Sequence, residues 1–198
     1  ASGADITLST ATNDFSGAVT LSTTGTTGNA DVNNGSTALN IAASSVDGTI
    51  GLITTGNATV VNNDVGLNFG TTTVGGTLTA TQATGNITDT GVLTITGTSA
   101  FTTGTSGADI TLSSTNAFTG AVSLFTAGTT GDAALTTGTT ALEFGTSTVN
   151  GDLAVTAGGA VTQTESGALT ILGTTDITAT GNDVTLDSAS NDFDSDDN

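Results

Sequence analysis

Three carboxylates at alternating positions, Asp192, Asp194 and Asp196, are the residues best spaced to hold a ligand. On an extended backbone, side chains two residues apart share one side, and hard cations such as Ca²⁺ favour clustered oxygens. The run opens as an EF-hand loop does, but Asp197 stands where that loop needs Gly and the closing Glu is absent. The opposing reading is a solvated acidic end or boundary segment over 187–198. A second group, Asp5, Asp109 and Asp183, recurs immediately before strand-like phrases. There the choice lies between turn chemistry, with the carboxylate accepting nearby backbone N–H groups, and a row of cation sites along a rod. The Gly-Gly-x-Gly-x-Asp pattern of Ca²⁺-binding nonapeptide repeats is absent.

Catalysis is poorly supplied. The 198 residues contain no Lys, Arg or His and 18 Asp plus Glu, a formal net charge of −18. Pro, Cys, Met, Trp and Tyr are also missing. Without cations a chain cannot neutralise phosphates, so nucleic acid is not expected as a partner. Ser-His-Asp and Cys-His catalysis lack their base, and zinc lacks both favoured ligands. Disulfides cannot form. A carboxylate-pair glycosidase needs two acids about 5–9.5 Å apart, and Glu143 and Glu165 are the only glutamates. Aromatic platforms for sugar stacking are missing, so a glycan-active enzyme ranks third among the readings and the expectation is no enzyme. Hydroxyls are abundant: Thr and Ser together make 66 residues. Thr77-Leu-Thr-Ala-Thr81 and Thr94-Ile-Thr96 would present flat hydroxyl-methyl rows, an ice-binding pattern, although Thr is also the ordinary solvent-facing strand residue. The equivalents of Thr77 and Thr79 by repeat alignment, Asp152 and Ala154, would break that row.

The elements that must position these groups are repeats. Ser2-Gly-Ala-Asp-Ile-Thr-Leu-Ser9 recurs letter for letter at 106–113 and loosely as Gly181-Asn-Asp-Val-Thr-Leu186. Phe15-Ser-Gly-Ala-Val-Thr-Leu21 matches Phe118-Thr-Gly-Ala-Val-Ser-Leu124. A third phrase occurs at Leu39-Asn-Ile41, Leu67-Asn-Phe69 and Leu142-Glu-Phe144, each followed by a valine and a Gly-x-Ile or Gly-x-Leu step. Leu93-Thr-Ile95 pairs with Leu169-Thr-Ile171. Residues 1–64 align with about 105–166, and 65–104 with about 140–180. Inside each phrase apolar residues alternate with polar ones, the signature of a strand. Gly, Asn, Asp and Ser punctuate them. No helical patterning is visible. Mean hydropathy is +0.18 and only 9% of residues are charged, which argues against a charge-driven coil.

Repetition of short strands favours a solenoid over tandem sandwiches, whose Trp and tyrosine-corner signals are absent. Coils of about 20 residues would give nine or ten rungs and a rod near 45 Å at about 4.8 Å per rung. Phe15, Phe118 and Phe193 would form one ladder class, and Phe69 and Phe144 another. The fold expected is all-β, a right-handed parallel β-helix, over 1–186. The phrases Gly-Ala-Asp-Ile-Thr-Leu, Asn-Asp-Phe-Ser-Gly-Ala-Val-Thr-Leu, Gly145-Thr-Ser-Thr-Val-Asn-Gly-Asp-Leu153 and Gly167-Ala-Leu-Thr-Ile171 resemble the β-strand repeats of very large bacterial exoproteins. These are the filamentous-haemagglutinin-like adhesins and related surface filaments. That resemblance implies export and a role as stalk, fibre or adhesin at the cell surface. No catalytic residue transfers with it.

No run of about 18 apolar residues exists, so no transmembrane span is expected. Ala1-Ser-Gly lacks Met and a charged leader, so a signal peptide is expected to be absent or removed. Neither end carries a capping amphipathic helix. The expectation is therefore that copies stack end to end, or that the chain is a slice of a longer rod. The sequons at Asn34, Asn57 and Asn86 fall within chance for so Thr-rich a chain.

Overall fold

The structure is a computed structural model that describes residues 3–25, 27–64 and 66–193. Its elements are strands alone: β1 (Ile6–Leu8), β2 (Ala30–Asn33), β3 (Leu39–Ser44), β4 (Thr49–Thr54), β5 (Ala58–Asn62), β6 (Gly66–Phe69), β7 (Thr72–Val74), β8 (Leu78–Gln82), β9 (Asn86–Asp89), β10 (Leu93–Ile95), β11 (Ser99–Thr103), β12 (Ile110–Phe118), β13 (Val122–Phe125), β14 (Ala133–Thr137), β15 (Leu142–Phe144), β16 (Ser147–Val149), β17 (Leu153–Ala157), β18 (Val161–Gln163), β19 (Leu169–Ile171) and β20 (Thr175–Ala179). They form two sheets with parallel pairing throughout. The first holds 11 strands along β1-β2-β4-β6-β9-β12-β14-β17-β20, with β7 and β10 beside that path. The second holds nine, from β3 to β18, with β16 and β19 beside its path. The chain passes from one sheet to the other and back, winding a β-solenoid of about eight turns. That is fewer than the nine or ten rungs expected. Coils run from 18 residues, where Ser44 lies beside Asn62 past a bulge, to 24, where Ile6 lies beside Ala30. The phrases containing Phe15 and Phe118 carry longer loops than the uniform estimate allowed.

Alternation builds the core. In β5, Ala58, Val60 and Asn62 are buried while Thr59 is exposed, and β8 repeats this with Leu78, Ala80 and Gln82 buried. Inward residues of both sheets join one core, in which Phe69, Phe101, Phe118 and Phe144 are the bulkiest fully buried side chains. Phe101 of the second sheet packs edge-on against Phe69 and Phe118 of the first, at 6.2 and 6.1 Å between ring centroids. Such pairs add about 1 kcal/mol each beyond the area they bury. This cluster cuts across the expected ladder classes. Phe69 lies in the first sheet and Phe144 in the second, and Phe193 is 41% exposed.

Corners between sheets have their own rule. Before the second sheet, Gly56, Gly76, Gly97 and Gly120 stand in adjacent coils, with Gly76 N donating to Gly56 O and Gly97 N to Gly76 O, both at 3.0 Å. A Cβ on Gly97 would lie 2.5 Å from the Gly76 carbonyl carbon. Backbone approaches backbone so closely here that only hydrogen fits. Before the first sheet, Gly151 and Gly173 stack likewise, Gly173 N donating to Gly151 O at 2.9 Å.

The repeat phrases do not keep to one sheet. Leu67-Asn-Phe69 is β6 in the first sheet, whereas Leu142-Glu-Phe144 is β15 in the second. Leu93-Thr-Ile95 lies in the first and Leu169-Thr-Ile171 in the second. Each phrase supplies a Gly corner and a half-buried strand, and the two sheets ask for the same things. The half coil is therefore the interchangeable unit.

Candidate functional site: an acidic corner and a hydroxyl face

The residue after each corner glycine, or after Ala4 and Ala108 where alanine takes that place, carries the chemistry of that corner. Asp5 Oδ1 accepts the backbone N–H of Asn29 at 2.8 Å, and Asn29 Oδ1 accepts that of Thr49 at 2.8 Å. A second, longer series runs Asn86 to Asp109 at 2.9 Å, Asp109 to Asp132 at 3.0 Å, Asp132 to Asp152 at 2.8 Å, and Asp152 to Thr174 at 2.7 Å. Every side chain caps the N–H of the coil above it, a charge-assisted bond wherever the acceptor is Asp. The hydrogen bond from the Thr174 backbone, joined by one from its side chain, holds the Asp152 carboxyl below its ordinary value. Turn chemistry is thus the role of Asp5 and Asp109, exercised between coils and not within one turn. Asp183 does not share their column. It precedes Val184, which bridges to Val161, and its carbonyl accepts Val161 N at the entrance to the second sheet.

Asp192 forms a parallel bridge to Thr170, its N–H donating to Leu169 O and its C=O accepting Ile171 N, both at 2.8 Å. Asp194 and Asp196 lie outside the described residues. Among the described residues no group of three or more His, Cys, Asp or Glu is placed to hold a metal ion. Glu143 is exposed on β15, and Glu165 is exposed in the turn after β18, one coil further on. Neither lines either of two surface grooves formed by described residues. The larger, about 580 Å³, includes Asp47, Asp64, Asn68 and Asn86 and opens where Thr49 and Gly66 take the places of the Asp/Asn series. There the register steps, Thr49 pairing with Asn68 while Gly66 pairs with Asn86. The smaller, about 270 Å³, lies over Gly51 beside Asp31.

Sequence reasoning missed the buried amides. Asn116 Oδ1 accepts Leu93 N at 2.8 Å, and its Nδ2 donates to the buried Asp89 carboxylate at 2.7 Å. Asp89 also accepts Ser113 N at 2.8 Å where β12 bulges, so amides satisfy a carboxylate that no cation can reach. Asn13, Asn116 and Asn191 each donate back to the leucine carbonyl that precedes them, Leu8, Leu112 and Leu186. The shared Asn-x-Phe spelling was the available signal. Asn62 Oδ1 and Gln82 Oε1, in register on adjacent strands, are buried acceptors without a protein donor. Of the sequons, Asn34 is fully buried with its amide bonded to Phe15, Thr37 and Ala38, whereas Asn57 and Asn86 are exposed.

The opposite face is chemically plain. Thr59, Thr79 and Ala100 point outward in one row of the second sheet, and Val61, Thr81 and Thr102 in the next. At the corner Thr77 and Thr98 approach through their hydroxyls at 3.3 Å. The neighbours of Thr77 and Thr79 are therefore Asn57, Thr59, Thr98 and Ala100. Asp152 and Ala154, assigned to that row by repeat alignment, belong to the first sheet. The break expected from Asp152 and Ala154 is not there, and Ala100 is the residue that interrupts the threonines of that row.

Stacked parallel coils, a glycine-lined corner and a recurring side-chain cap define a β-solenoid repeat protein. The chain belongs to the family described as repeats of unknown function (DUF5649), whose model matches residues 1–22, 55–125 and 130–196. No curated protein and no solved structure matches it.

Proposed function

We propose that this chain is a non-catalytic structural or adhesive unit of an extracellular or cell-surface fibre. The observation that carries the reading is the modular coil. Each half coil repeats one corner and one half-buried strand, so length is added without new chemistry. Among the described residues, strand β1 pairs on one side, with β2, and β20 on one side, with β17. Their outer edges are templates for a further coil, supplied by a second copy or by the adjoining stretch of a longer rod. The resemblance of the phrases to filamentous-haemagglutinin-like adhesins supports the same reading and names its class of receptor no further than a cell or matrix surface. Negative-stain electron microscopy and small-angle scattering across a concentration series test it. Rods in multiples of one chain length, about 40 Å at eight coils, are expected once salt screens the charge. Particles that stay at a single chain length under every concentration and salt would overturn self-assembly.

A further inference from the structure

The outer face of β5, β8 and β11 unites two independent features. The first is regularity: three consecutive coils pair with no bulge, Thr59 beside Thr79 and Thr79 beside Ala100, Val61 beside Thr81 and Thr81 beside Thr102. With Thr77 and Thr98 at the corner, Thr occupies most positions of a grid. Its spacing is about 4.8 Å along the rod and about 6.6 Å across it. Backbone pairing on both sides of β8 holds the grid rigid, and β-branching fixes each Thr rotamer. The second feature is charge. The molecule carries −18, yet no outward residue of β5, β8 or β11 is acidic. The carboxylates of the Asp109–Asp132–Asp152 series stand instead at the corner entering the first sheet.

A charged ligand has nothing to pair with on these three strands, and the nearest outward ring, Phe125, stands beside Thr102 on the next coil, a single ring at the edge of the grid and not a platform across it. A second copy seated on these three strands alone would bury on the order of 250 Å² by the strand spacing, far below the roughly 800 Å² per partner of stable interfaces. What matches a flat, neutral, rigid grid of alternating hydroxyl and methyl groups is an equally periodic and neutral hydrogen-bonding surface. We infer that this face binds the ordered water lattice of an ice surface. The hydroxyls join the lattice while the methyls and the Val61 and Ala100 side chains fill its gaps. This goes beyond the fibre reading and does not depend on it.

Nanolitre osmometry with microscopy of growing ice tests the inference. The wild-type chain is expected to facet single crystals and to open a gap between melting and freezing temperatures. Thr79→Glu, placing a charge at the grid's centre on an exposed side chain, is expected to reduce that gap at least five-fold with an unchanged circular dichroism spectrum. Thr102→Glu on the next coil serves if that variant folds poorly. Ala154→Glu, on the outer face of the first sheet, is expected to retain the gap. Round crystals with no gap for the wild type overturn the inference, as does equal loss in Ala154→Glu. A dimer dissolved by Thr79→Glu, without any effect on ice, would assign the face to a second copy and overturn it too.

Discussion

Aspartate in this chain is a structural acceptor first. With no Lys, Arg or His available, the carboxylates of Asp109, Asp132 and Asp152 are engaged by backbone N–H groups of the next coil. At Asp152 that bond favours the ionised form. Because Asp152 has its folded-state pKa held below the ordinary 3.8, its contribution is present above the unfolded value. It fades as pH falls through the folded one. Thermal melts stepped from pH 5 downward are therefore expected to lose stability below about pH 4. Asp152→Asn, which keeps the acceptor oxygen and removes the titration, should flatten part of that loss. An unchanged profile in the variant would mean that the cap contributes nothing. The same residue-level rule explains why Asp89 survives inside the core: Asn116 and the Ser113 N–H meet it there.

At the scale of the element, the corner decides more than the strand. Strand sequences such as Leu-Thr-Ile are interchangeable between sheets, but Gly56, Gly76, Gly97 and Gly120 are held by contact. Gly97→Ala would push a methyl to 2.5 Å from the Gly76 carbonyl carbon. The overpacking is expected to cost about 2 kcal/mol, read as a lower urea midpoint at unchanged slope. Gly17 has open space where its Cβ would go. Gly17→Ala is therefore the matched control, expected to shift the midpoint little or slightly upward through the unfolded chain. Repeat alignment found the strands and the Gly-x-Leu steps. It did not find which sheet each joins, because a phrase carries only local information and the two sheets have equal local demands. Asp183 and the supposed partners of Thr79 were misplaced for that reason. The Asn-x-Phe amides were missed because alternation marks a position as inward without saying what a polar residue there will meet.

Across the whole molecule, like charge opposes a fold that packing and pairing sustain. No ion pair between side chains can form in a chain without cationic residues, so the eighteen acids contribute self-repulsion wherever no N–H meets them. Adding salt shortens the range of that repulsion, to about 10 Å at 0.1 M and about 3 Å at 1 M. The melting temperature is accordingly expected to rise between low salt and 0.5 M NaCl, by several degrees and smoothly. A fall would show that the charges are net stabilising.

The sequence alone determined the class: alternation with period two, repeated phrases and the missing cationic residues led to an all-β solenoid in which backbone pairing replaces salt bridges. It also marked Asp5 and Asp109, before strand-like phrases, as candidates for turn chemistry, with a row of cation sites as the other choice. Only the tertiary structure decided register, and with it everything that depends on neighbours between coils. Coils of 18 to 24 residues set which side chains become adjacent, so Asp109, Asp132 and Asp152 line one corner and the threonines of β5, β8 and β11 share another face. The physical reason is that a strand's own alternation fixes in from out, whereas the length of each loop fixes who stands beside whom.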